Sequence, residues 1–161
     1  MINRDEIRRL DFEITEMPEF GDAKDGNGIY RLTQSDRAGM PVGEDIVRLR
    51  TRLGVLFHEK LQGDYAKLEV NCDIKRDTFR RVQGSNNKRN ATYEFLAKFC
   101  LGAKLSVEEA KELFLLRGYT LNEQNRYDYL LLCELKNGGD IVDYNDDLIE
   151  FGYKGVISAA D

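Results

Sequence analysis

The chain has 161 residues, 42% of them hydrophobic and 33% charged, which is typical of a folded globular protein and excludes an intrinsically disordered one. No apolar run approaches the roughly 20 residues that a membrane-spanning helix needs, so no membrane partner is expected. The formal net charge is −5, so a cluster of positive charge within the chain needs a specific explanation.

Residues 1–42 carry only weak structural signals. The stretches DFEITEM (11–17) and GIYRLT (28–33) each alternate apolar and polar side chains, and turn-forming residues lie between them. This arm is either a short hairpin or a segment that orders only on a partner. Its first residues are charged and resemble no export signal, which predicts a cytoplasmic protein.

From residue 43 onward the apolar pattern becomes helical and predicts an all-α fold. Apolar side chains recur at steps of three and four residues, and the chain has only two prolines. About seven helices are predicted, over 44–63, 65–72, 74–83, 91–102, 106–118, 122–139 and 140–155.

Local signals mark the start of several of these helices. Asp64 is expected to cap the second helix, and Asn122 the sixth. Ser106 and Glu109 have the spacing of a capping box, in which each side chain bonds the other residue's backbone N–H. The three cysteines are widely spaced within apolar helical patterns, which predicts buried, reduced thiols rather than disulfides.

Positive charge is concentrated in one part of the chain. Residues 73–104 contain eight Lys or Arg and three Asp or Glu, whereas residues 105–161 contain five Lys or Arg and twelve Asp or Glu. Much of the positive block falls on the predicted helix at 74–83, whose apolar residues Ile74, Phe79 and Val82 are expected to face inward. A short helix with one cationic side indicates contact with a polyanion such as nucleic acid.

The order of elements resembles helix-turn-helix domains of the phage-repressor (xenobiotic-response-element, XRE) type. The resemblance is carried by IKRDTFRRVQG (74–84), by the polar loop after it and by YEFLAKFCLGAKLSVEEAKELF (93–114). The stretch LLRGYTLNEQNRYDYLLLCEL (115–135) is similar to a bacterial variant in which the fifth helix runs into a GYTL turn and a further helical hairpin. The resemblance implies a bacterial or phage protein with a lambda-repressor-like five-helix bundle at 43–118, a C-terminal helical extension at 119–161 and the arm at 1–42.

In that family the third helix enters the DNA major groove, so the resemblance implies a sequence-specific DNA-binding regulator with a recognition helix at about 74–83. Asp73 stands where the family usually has a turn glycine, and we expect it to adopt the left-handed conformation. Asp77 is expected either to accept from cytosine or to pair with Arg81. The residues expected to contact double-stranded DNA are Lys75, Arg76, Arg80, Arg81, Gln83, Asn86, Asn87, Lys88 and Arg89.

A second function remains open at this point. One five-helix unit covers only a half-site, so either a homodimer or a protein partner is expected to use the N-terminal arm or the C-terminal hairpin. The net acidity, together with Asp64, Asp73 and Asp77, favours a protein-interaction or inhibitor module that has weakened or lost DNA binding.

No catalytic constellation can be assembled from the sequence, and the protein is not expected to be an enzyme. His58, the only histidine, is interpreted as a partly buried packing residue. Asp143, Asn145 and Asp147 alternate like calcium ligands, but no glycine follows at the sixth position, so helix capping is the interpretation. No metal or other cofactor is expected.

Overall fold

The structure, a computed structural model, describes residues 2–20, 43–84 and 91–157. These residues form helices and no β-strand, so the all-α prediction is confirmed for this part of the chain. The helices are α1 (Arg4–Arg8), α2 (Gly43–Leu61), α3 (Tyr65–Cys72), α4 (Arg76–Gln83), α5 (Tyr93–Gly102), α6 (Val107–Leu116), α7 (Arg126–Lys136) and α8 (Ile141–Glu150).

Two of the predicted caps are confirmed and one is wrong. The Asp64 carboxylate accepts from the backbone N–H of Ala66 at 2.8 Å, and Ser106 and Glu109 form the predicted capping box at the start of α6. The cap of α7 is Asn125 rather than Asn122. The Asn122 side chain instead accepts from the backbone N–H of Gln124 in the preceding turn, which delays the start of the helix by one turn.

A tight turn at residues 73–75 joins α3 to α4. Asp73 ends α3 in the left-handed conformation, with φ 54° and ψ 39°, as predicted. The buried ammonium group of Lys98 on α5 donates to the Asp73 carbonyl oxygen at 3.1 Å and approaches its carboxylate at 3.4 Å. Lys98 therefore holds this turn in place and neutralises its acidic side chain.

One hydrophobic core extends from Ile7 to Val156, and it positions α4 through α2 and α3. α3 lies very close to α5 at Gly102, where an added Cβ would be 2.3 Å from Sγ of Cys72 and 2.5 Å from the carbonyl oxygen of Asn71. All three thiols are free; Cys72 and Cys100 are buried and Cys133 is half-buried. Burial raises the pKa of Cys72 to about 12.

The N-terminal segment packs on the C-terminal helices. Arg4 on α1 contacts Asp147 on α8 at 2.8 Å, and the backbone of Ile14 bonds to Gln124 and Arg126 on either side of the α7 cap. The strand that the hairpin alternative places at 11–17 is reduced to a single bridge between Ile14 and Asn125, because the extended chain pairs with a loop rather than with another strand. The second half of the proposed hairpin, 28–33, lies outside the described residues.

A buried carboxylate organises the turn between α6 and α7. Asp128 is fully buried and accepts from the Tyr93 hydroxyl at 2.6 Å, the Tyr119 hydroxyl at 2.5 Å and the backbone N–H of Asn122 at 2.9 Å. Burial raises the pKa of Asp128, while the three donors favour its charged form. These bonds fix the GYTL segment against α5 and α7.

A pair of buried acidic residues joins α7 to α8. Glu134 and Asp147 are 3% and 1% exposed, and they line a small cavity together with Arg4 and Asp143. Burial, followed by the hydrogen bond with Asp147, raises the pKa of Glu134 to about 8. A protonated Glu134 can donate to Asp147, whereas two charged carboxylates would have to share Arg4.

No helix within the described ranges is long and apolar enough to cross a membrane.

Candidate functional site

The cationic side of α4 is exposed and its apolar side is anchored in the core. Phe79 and Val82 are buried, as is Ile74 in the preceding turn, so all three predicted inward positions are confirmed. The four charged side chains predicted for the outer surface are exposed. We call them the α4 cations: Lys75, Arg76, Arg80 and Arg81.

The α4 cations have no internal carboxylate partners among the described residues. None of the ion pairs found in this part of the chain includes any of them. Asp77 lies three and four residues before Arg80 and Arg81, yet it forms an ion pair with neither, so the alternative of pairing with Arg81 is not observed. Their positive charge is therefore not cancelled by direct pairing within the described part of the fold.

Arg76 is held in position by an aromatic ring. Its guanidinium carbon lies 4.8 Å from the ring centroid of Tyr65, the first residue of α3. Tyr65 in turn packs on Phe57, with 5.0 Å between ring centroids, and on Phe79 at 6.4 Å. This stacking couples one cation of α4 to the aromatic core and to the start of α3.

The other predicted DNA contacts are either turned towards the fold or lie outside the described residues. Gln83 is half-buried, and its amide nitrogen lies 2.9 Å from the position of an ideal Cβ on Gly54 of α2, so this side chain packs towards α2. The predicted loop contacts Asn86, Asn87, Lys88 and Arg89 lie outside the described residues. Two further cations of the positively charged stretch 73–104 make contacts within the fold. Lys98 donates to Asp73, and Lys104 donates to the carbonyls of Gly138 and Gly139.

Two acidic residues near α4 are also engaged locally. The Asp64 side chain caps α3, and Asp73 is contacted by Lys98. The N-cap of α4 is Lys75, whose side chain makes no capping bond to the first backbone N–H groups of this helix. The local arrangement therefore presents a net positive surface to solvent, with Asp77 as the exposed acidic residue of α4.

The remaining polar clusters support the fold. Over the described residues, no group of His, Cys, Asp and Glu side chains could hold a metal ion. Asp140 and Asp143 form a capping box at the start of α8, so the capping interpretation is confirmed for Asp143, whereas Asp147 contacts Arg4 instead. Asn145 accepts from the backbone N–H groups of Val156 and Ile157. The partly buried position predicted for His58 is wrong, because its neighbour Phe57 takes the core position and leaves the imidazole exposed.

Sequence reasoning missed the two contacts that shape this surface. The stack of Arg76 on Tyr65 joins residues eleven apart in different helices, and the Lys98–Asp73 bond spans 25 residues. The left-handed Asp73 was the available signal for the second, since a turn carboxylate needs a donor.

Comparison of the chain with protein-family models, with curated proteins and with solved structures finds no match.

Proposed function

We propose that the protein is a sequence-specific regulator that binds double-stranded DNA through a helix-turn-helix unit. In this proposal α3, the turn at 73–75 and α4 form the unit, and α4 is the recognition helix of a lambda-repressor-like bundle built from α2–α6. The observation that carries it is that the α4 cations are exposed and form no ion pair with any described carboxylate. Guanidinium groups can bind phosphates or make bidentate contacts with guanine in the major groove.

The acidic net charge does not oppose this function. Association with DNA depends on the local field at the contact surface, and charges more than about 8–10 Å away are largely screened at physiological salt. Asp64 and Asp73, which would repel phosphates if free, make local bonds in the fold. A homodimer would place two α4 helices on successive half-sites.

The proposal is tested by charge reversal and salt titration. The double variant Arg80→Glu/Arg81→Glu is compared with wild type for binding to duplexes selected from a random pool, using fluorescence anisotropy. Wild-type affinity should fall steeply with salt, and the variant should lose about 100-fold or more in affinity with a shallower salt dependence.

The matched control is Lys111→Glu/Lys136→Glu, which makes the same change in net charge at two exposed lysines on α6 and α7. Its affinity should stay within about threefold of wild type, because neither lysine belongs to the proposed contact surface and charges on the exposed surface are screened by salt. Unchanged binding of the α4 variant, with helicity retained by circular dichroism, would remove α4 as the contact surface. Equal losses in both variants would show a dependence on net charge alone.

A protein-interaction or inhibitor module is the second candidate. Val142 and Ile149 on α8 are 51% and 58% exposed, and because they are seven residues apart they lie on the same side of the helix, near the exposed Asp146. An apolar, acidic helix face of this kind suits a protein contact better than a nucleic acid. Sedimentation equilibrium of wild type and Val142→Glu would show whether that contact is with a second copy.

A further inference from the structure

Asp77 is an acidic residue on the otherwise cationic side of α4. It is the second residue of α4, it is exposed, and it lies on the same side of the helix as Arg80 and Arg81. Across the described residues it forms no ion pair with either arginine or with any other cation. The surface that α4 offers to a polyanion therefore has a carboxylate beside two guanidinium groups, none of them in an ion pair with another described residue.

A carboxylate facing DNA finds a favourable contact at fewer positions than a cation does. Phosphates repel it at every position along the duplex, so it lowers non-specific affinity. It gains a favourable contact only where a hydrogen-bond donor faces it, and in the major groove cytosine presents such a donor in its N4 amino group. The first turn of a recognition helix is the part that approaches base edges most closely.

We propose that Asp77 is a specificity-determining residue that accepts a hydrogen bond from the amino group of a cytosine in the major groove. This inference rests on the proposed function, and it assigns the arginines and the carboxylate different tasks. Arg80 and Arg81 supply attraction to the duplex, while Asp77 rejects sequences that lack the amino donor at its position.

A purely structural role for Asp77 makes a different prediction. An acidic residue in the first turn interacts favourably with the positive end of the helix, and Lys75 provides no side-chain cap there. If this were its only role, neutralising Asp77 would lower the thermal stability slightly. It would leave the selected DNA sequence unchanged.

The test is a binding selection from a pool of random-sequence duplexes, run in parallel with wild type, Asp77→Asn and Glu69→Gln. Glu69 is exposed on the neighbouring helix α3, so Glu69→Gln removes the same charge without touching α4. Wild type should select a cytosine at one position of its site. Asp77→Asn should replace it with adenine, because an amide pairs with adenine N6 and N7, and should lose roughly fivefold or more in preference for cytosine.

Glu69→Gln should select the wild-type site, with at most a uniform rise in affinity. If Asp77→Asn selects the same site as wild type, the inference is overturned and DNA binding by α4 stands. If wild type retains no duplex above the level of the Arg80→Glu/Arg81→Glu variant, the proposed function fails, and the inference fails with it. Thermal melts of both variants confirm that each is folded at the temperature of selection.

Discussion

Charged side chains are used in opposite ways on α4 and in the C-terminal part of the molecule. On α7 and α8 three carboxylates are buried, and two of them are clearly engaged: Asp147 contacts Arg4, and Asp128 receives three hydrogen bonds. On α4 the arginines are exposed and unpaired among the described residues. The first arrangement costs desolvation that only good hydrogen bonding offsets, so it serves the fold, whereas the second leaves charge available to a ligand.

The largest expected effect comes from breaking the internal arrangement. Asp128→Ala would leave the Tyr93 and Tyr119 hydroxyls and the Asn122 N–H without their acceptor. We expect the free energy of unfolding to fall by about 3 kcal/mol, measured by chemical denaturation. Asp146→Ala, at an exposed position of α8, is the control and should change it by less than about 0.5 kcal/mol. A loss below about 1 kcal/mol for Asp128→Ala would mean that the network is not rigidly formed.

The pH dependence of stability sharpens the comparison further. The pKa of Glu134 is raised to about 8 in the folded protein from 4.5, so between these pH values the folded state binds more protons than the unfolded state. Stability should therefore fall as pH rises from about 5 to about 9, by about 2 kcal/mol or more. Glu134→Gln keeps a donor to Asp147 but cannot titrate, so its stability should vary much less with pH over this range. An equal slope in both proteins would contradict the assignment.

The smallest expected effect concerns Arg76, an exposed cation of α4 that is nevertheless stacked on the ring of Tyr65. A double-mutant cycle with Tyr65→Leu and Arg76→Ala should give a coupling energy of about 0.5–1 kcal/mol in thermal or chemical unfolding. Tyr65→Phe keeps the ring and should keep most of the coupling. A coupling near zero would mean that the ring does not hold Arg76, and ordering this side chain on the proposed DNA ligand would then cost more conformational entropy.

The helices after residue 43 could be predicted well because their signals are local. The Ser106–Glu109 box, the Asp64 cap and the inward positions of Phe79 and Val82 each depend on residues a few positions apart. The candidate contact surface could be predicted from the same pattern, because one side of α4 is apolar and the opposite side carries the cations. Asn122 was chosen wrongly as a cap because two asparagines lie three residues apart, and only the fold decides which of them begins the helix.

The contacts that sequence reasoning could not reach are long-range and polar. Arg4 and Asp147 are separated by 143 positions, and nothing in either neighbourhood indicates the other. The helix α1 is only five residues long, too short to show a clear apolar period, and its Asn3 cap is supplemented by the contacts of Arg4 and Arg8 with α8. Lys98 was counted with the cationic block because charge counting cannot distinguish a buried lysine from an exposed one.

The close approach of α3 to α5 at Gly102 makes Cys72 a built-in reporter of local opening. Its sulfur is sealed between the two helices, and its high pKa keeps it protonated at neutral pH, so an alkylating reagent can reach it only when α3 lifts away. The alkylation rate at Cys72 would thus measure how often α3, which packs against α4, separates from α5, and no label has to be introduced. A ligand that clamps α3 and α4 together should slow that reaction in proportion to its occupancy.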